Sequence, residues 1–129
     1  MQILLFGSDN SITFTVEKML VSVDDWIVTK VFSISSIKGE NGKNSFFDII
    51  IAHLSGFNKT PHDIIREIVS VFPTFPLLAM YSYEHEFLIE PLLEAGATGY
   101  LHIDTCEEKL LAAVNKVKDG TIYVDVVNT

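Results

Sequence analysis

Asp48-Ile49-Ile50-Ile51-Ala52-His53-Leu54 is the stretch on which the architecture turns. Its apolar run is unbroken from Ile49 to Ala52 and too short for a helix. A strand wetted on one face alternates polar and apolar residues, so a continuous run belongs to a strand covered on both faces. That is the condition of a parallel sheet clothed by helices. Ile3 to Phe6, ending at Gly7, reads the same way, and Ser11 to Leu20 after it places Ile12, Val16, Met19 and Leu20 on one helical face. Trp26 to Phe32 is β-branched and aromatic and reads as a second strand.

On the carboxyl side, Thr60-Pro61-His62-Asp63 carries a cap hydroxyl, a proline at the first helical position and an acid in the first turn. Ile64, Ile65, Ile68 and Val69 continue it as an apolar stripe. Pro76 to Tyr81 is a fourth strand, Phe87 to Ala95 a helix ending at Gly96, and Thr98 to Ile103 a fifth strand. Thr105-Cys106-Glu107-Glu108 has capping-box spacing. The helix it opens turns Leu110, Leu111, Val114 and Val117 inward, gathers Lys116 and Lys118 in its last turn and stops at Gly120. A short strand-like tail follows, Thr121 to Val127. Strands alternating with helices predict an α/β chain, a doubly wound five-stranded parallel sheet of flavodoxin-like type.

Two segments fit less well. Ser33 to Ser45 should supply the helix between strands two and three, yet it holds Gly39, Gly42 and several Ser and Asn, so a short, irregular or mobile helix is expected. Pro91 falls inside the helix after strand four, which predicts either a kink or a start only near Glu90.

Composition narrows the function. The 129 residues make one domain, 1–129, with 48% hydrophobic residues and a formal charge of −8. There is no Lys/Arg run, which argues against nucleic-acid contact by this chain. Cys106 is the only cysteine, so no internal disulfide can form, and a reducing, cytoplasmic location is expected. With Asp104, Glu107 and Glu108 around it, Cys106 reads as an ordinary thiol. No stretch has the length of a membrane span. Gly-x-Gly-x-x-Gly, Walker and Gly-x-Ser-x-Gly patterns are all absent.

Glu94-Ala95-Gly96-Ala97-Thr98-Gly99-Tyr100-Leu101, then Asp104 and the Thr105–Glu108 cap, resembles the end of a response-regulator receiver domain, most of all the receivers of LuxR/NarL-type transcription regulators. The tail Gly120-Thr121-Ile122-Tyr123-Val124 resembles the segment that ends such a receiver. The likeness covers the whole chain element by element and is specific from Glu94 to Val124. It implies the (βα)5 receiver fold. It also implies a site in which acids after strand one and an aspartate at the end of strand three hold Mg²⁺, a Thr or Ser ends strand four, and a lysine ends strand five. Metal and lysine would neutralise charge on a transferred phosphoryl group.

Matched residue by residue, most of these positions are changed. The acidic pair falls within Gly7-Ser8-Asp9, leaving at most Asp9. The aspartate position holds His53, the lysine position Ile103, and the Thr/Ser position Tyr81, with Ser82 one residue on. Tyr100 stands where the family has a switch aromatic. An imidazole forms no acyl phosphate and is a poor Mg²⁺ ligand, so no cofactor is expected. His53 can be read as a phosphohistidine, a transition-metal ligand with Asp9, or a plain polar residue at a strand end; the last is the reading taken. His62, His85 and His102 form no cluster.

The resemblance implies a regulatory, dimer-forming, non-enzymatic module that works without phosphorylation, with a DNA-binding helix-turn-helix domain following in a parent protein. Its docking face would combine the helix after strand four, strand five and the helix after strand five: Phe87, Leu88, Tyr100, Lys109 and Lys116. The alternatives are a stand-alone adaptor and a small α/β enzyme using Ser8, Asp9 and His53 at the carboxyl ends of the strands.

Overall fold

The structure is a computed structural model that describes residues 1–33 and 46–125. The expectation for the helix between strands two and three lies outside the described residues. Six parallel strands, β1 (Gln2–Phe6), β2 (Ile27–Val31), β3 (Ile49–His53), β4 (Leu77–Tyr81), β5 (Gly99–His102) and β6 (Tyr123–Asp125), form one sheet in the order β2-β1-β3-β4-β5-β6. The register runs Phe6 beside Ala52, Ala52 beside Ala79 and Ala79 beside Tyr100. The sequence reading gave five strands. The tail adds the sixth by pairing Gly99 with Tyr123 and Leu101 with Asp125.

The helices are α1 (Ser11–Val21), α2 (Pro61–Val71), α3 (Glu86–Glu94) and α4 (Glu107–Lys118). Two cores result, one on each face of the sheet. Ile3, Leu5, Ile49, Ile51, Leu78, Met80 and Leu101 pack against Val16 and Leu20 of α1 and Leu110, Ala113, Val114 and Val117 of α4. The alternate residues Leu4, Phe6, Ile50, Ala52, Leu77, Ala79 and Tyr100 pack against Ile64, Ile65 and Ile68 of α2 and Ile89 and Leu92 of α3. Successive side chains of a strand point to opposite faces, so helices on both sides explain the unbroken apolar runs. Leu111 is only half-buried, and Ala113 takes the inward place assigned to it.

Local chemistry fixes the helix starts. Asn10 caps α1, its side-chain oxygen accepting from the Ile12 and Thr13 amides. Thr60 caps α2, with Pro61 in the first turn. The capping box expected at Thr105 does not form: α4 starts one residue later, with Cys106 as its cap, and the Thr105 hydroxyl donates to the Cys106 carbonyl. α3 does not wait for Glu90. The His85 carbonyl accepts from the Leu88 and Ile89 amides, which closes the first turn at Glu86. Pro91 then sits inside the helix, and the residue whose carbonyl it leaves without a partner, Phe87, is exposed to water. The helix ends at Gly96, whose φ of +124° and close approach to Val69 suit only glycine. No described helix is long and apolar enough to cross a membrane.

Candidate functional site

All six strands being parallel, the loops that follow β1, β3, β4 and β5 gather on one rim of the sheet. This is the rim where open α/β sheets hold ligands. It carries Gly7-Ser8-Asp9, His53, Tyr81-Ser82 and Ile103.

His53 ends β3 with no exposed surface, on the α1/α4 side of the sheet with Ile49 and Ile51. Its Nδ1 lies 3.1 Å from the hydroxyl of Thr13, a residue equally buried in α1. The Thr13 hydroxyl is also 3.3 Å from the Asn10 side-chain oxygen, to which it can donate. In that arrangement His53 donates from Nδ1 to Thr13 and leaves a bare lone pair on Nε2, which has no partner among the described residues. A charged imidazolium would need a second acceptor for Nε2–H. Burial accordingly lowers the His53 pKa from its ordinary value, and the ring is neutral.

Gly7 faces the same pair. A Cβ placed on Gly7 would stand 2.7 Å from the Thr13 hydroxyl oxygen and 3.3 Å from the His53 Cβ. Ser8 is engaged elsewhere: Asn10 Nδ2 donates to its hydroxyl at 2.6 Å, and that hydroxyl donates to the Ser55 carbonyl at 3.1 Å. Gly56, at a φ of +90°, lets the β3–α2 loop come this close, because a Cβ there would meet the Ser8 hydroxyl. A continuous chain of polar contacts therefore runs from Ser55 through Ser8 and Asn10 to Thr13 and His53. Asp9 is exposed outside it.

The other predicted positions are separate. Ile103 is half-buried and lines an open pocket of about 210 Å³ with Ser11, Ile12, Thr15 and Val16. Tyr81 packs on the α2/α3 side, its ring edge-on to Tyr83 at 4.7 Å, while Ser82 is exposed. Tyr100 is fully buried and belongs to the core, not to the exposed docking face expected of it. Its hydroxyl is shared between the carbonyl oxygens of Tyr81 and Tyr83, 2.7 Å from each. Burial pushes its pKa far up. The remaining members of the expected face are exposed: Phe87 is 69% and Leu88 37% accessible. Lys109 pairs with Asp125 at 3.6 Å and Lys116 lies over the Tyr123 ring. Val124 of the new strand β6 and Ile122 just before it are also exposed.

Two constellations can be tested against this geometry. Ser8, Asp9 and His53 are joined by no hydrogen bond, so the enzyme reading lacks an assembled nucleophile and base. Magnesium requires several hard oxygen ligands. Gly7 offers no side chain, Ser8 is already bonded to Ser55 and Asn10, His53 offers a neutral nitrogen, and the one carboxylate of these positions, on Asp9, is exposed outside the network; the donor set does not fit the ion. Among the described residues no three His, Cys, Asp or Glu side chains group in a way that could hold a metal. Sequence reasoning missed Thr13. Its signal was a polar residue three before Val16 and seven before Leu20, on the buried stripe of α1.

The fold is that of response-regulator receiver domains. Solved structures similar to the chain include the response regulator ChrA of a heme-sensing two-component system, at 24% identity and a TM-score of 0.71 over 95% of this chain and 58% of that one. A LuxR-family DNA-binding response regulator from Silicibacter pomeroyi matches at 19% identity and a TM-score of 0.76, over 97% of each chain. The isolated receiver domain of RcsB from Salmonella enterica serovar Typhimurium, with a phosphomimetic beryllofluoride, matches at 16% identity and a TM-score of 0.77 over 97% of this chain and 93% of that one. The chain spans 58% of the length of ChrA and 62% of a longer RcsB chain. No protein-family model matches the sequence.

Proposed function

We propose that this chain is a two-component-type receiver module that regulates through protein contacts and without aspartyl phosphorylation. The observation that carries this reading is His53: a buried, neutral imidazole bonded to Thr13, at the position the receiver resemblance assigns to the phosphorylated aspartate. The module takes no Mg²⁺, since Gly7, Ser8 and His53 leave the exposed Asp9 as the one carboxylate of these positions and do not make an oxygen cage. With Ile103 at the lysine position there is no cation to stabilise a phosphoryl group. It catalyses no reaction of its own. It acts in the cytoplasm as a homodimer, and a DNA-binding domain of LuxR/NarL type follows it in the parent protein. Phe87, Leu88, Ile122 and Val124 are exposed apolar side chains that a protein partner would cover.

Intact mass after incubation with acetyl phosphate and Mg²⁺, together with light scattering after gel filtration, tests this. The expected result is unchanged mass and a dimer already present. A stable added phosphate on this chain sinks the reading.

A further inference from the structure

The space between Gly7, at the acidic-pair position, and His53, at the acceptor position, is not simply without acids; it is filled. We infer that Thr13 closes it, by occupying the space in front of Gly7, so that restoring the acceptor carboxylate and the lysine would not restore an ion site. This deepens the reading above and rests on it.

Three observations converge. First, Gly7 has no positive φ, so its backbone conformation accepts any residue. What forbids a side chain there is contact: the Thr13 hydroxyl at 2.7 Å and its methyl at 3.1 Å from the Cβ that would be added. Neither atom is the far end of a flexible chain, because a β-branched side chain in a helix has few rotamers to move into. Second, Thr13 is held from two sides, by the Asn10 oxygen and by His53 Nδ1. Third, the loops on either side of the site are already bridged by the Asn10–Ser8–Ser55 bonds. A bound ion in this place would join the loops after β1 and β3. Here hydrogen bonds from the Asn10 and Ser8 side chains join them without an ion.

The consequence is specific. H53D/I103K supplies a carboxylate and an ammonium but leaves Thr13 against Gly7. Amide chemical shifts of Ser8, Asn10, Ser55 and Gly56 are followed during a Mg²⁺ titration, with and without beryllofluoride. H53D/I103K and G7D/H53D/I103K, in which Thr13 still fills the space, are expected to show no saturable shift, and G7D/T13A/H53D/I103K to show one; a saturable shift in G7D/H53D/I103K overturns the inference. A saturable shift in H53D/I103K overturns the inference, while the proposed function stands so long as the natural chain takes up no phosphate. A folded quadruple variant with no saturable shift also overturns it.

The steric claim has its own check, for the case in which the quadruple variant does not fold. G7A is introduced alone and together with T13A or T13V, and melting temperatures are compared. G7A lowers the melting temperature in the natural chain and equally in the T13V background, where a methyl replaces the hydroxyl. The drop shrinks at least by half in the T13A background. Equal drops in all three backgrounds refute closure by Thr13.

Discussion

His53 makes the stability of this chain depend on pH in a way that can be worked out beforehand. In the unfolded chain its imidazole titrates near the ordinary value of about 6.5. Folding removes it from water, with a single polar neighbour, and its pKa falls. The folded state therefore binds fewer protons than the unfolded state. The stabilisation that comes from keeping the ring neutral is fully present above pH 6.5 and is lost as pH falls below it. One excluded proton gives a slope of at most about 1.4 kcal/mol per pH unit. Below pH 6.5 the loss attributable to His53 grows at no more than this slope until the folded-state imidazole itself takes up a proton. The assay is urea unfolding from pH 8 to pH 5 of the natural chain and of H53Q, whose amide does not titrate. Every other titrating group is common to both proteins and cancels in the difference. The natural chain is expected to lose stability faster than H53Q below pH 6.5, with parallel curves above it. Curves that stay parallel down to pH 5 would show that His53 is protonated in the fold and would refute the neutral-ring argument.

Y100F removes the hydroxyl shared by the Tyr81 and Tyr83 carbonyls, and is expected to cost about 1–3 kcal/mol and to speed amide exchange in the loop before α3; unchanged exchange there counts against the tether. G96A forces a side chain at a φ of +124° and against Val69, and is expected to lower the melting temperature by at least the equivalent of about 1 kcal/mol, read by calorimetry. F87E places a charge on the exposed apolar surface of α3 and is expected to give a monomer by light scattering with an unchanged melting temperature; a persisting dimer puts the interface elsewhere.

Most of the fold was legible because each strand carries its own signal. Ile49 to His53 reads as doubly covered, and the alternation of Ile3 and Leu5 with Leu4 and Phe6 between two cores is what such a run means. The helix after strand one is legible in its stripe, but not in its cap: the sequence does not reveal that Asn10 ties Ser8 to Thr13. The bonds that this network goes on to make, from Ser8 to Ser55 and from Thr13 to His53, cross 47 and 40 residues of sequence, and no local pattern encodes them. The same holds for Tyr100. Its position marked it as an aromatic of interest, but burial depends on the β6 and α3 neighbours, and the sequence pattern of β5 does not reveal them. Thr105 misled because the spacing alone does not fix the start: with Cys106 as the cap, Lys109 falls at the third helical position and no box closes.

The parallel pairing of β6 with β5 also decides where the two ends of the described chain lie. Met1 sits at the amino rim of the sheet, its ammonium donating to the Asp25 carbonyl, and Asp125 leaves β6 at the opposite rim, with the loops that carry Ser8 and His53. The two rims are separated by the length of a strand, roughly 17 Å for five residues. An affinity tag or a surface anchor placed before Met1 leaves the loop rim open to binding measurements. A fluorophore carried at position 125 itself would stand at that rim, well placed to report on whatever approaches it.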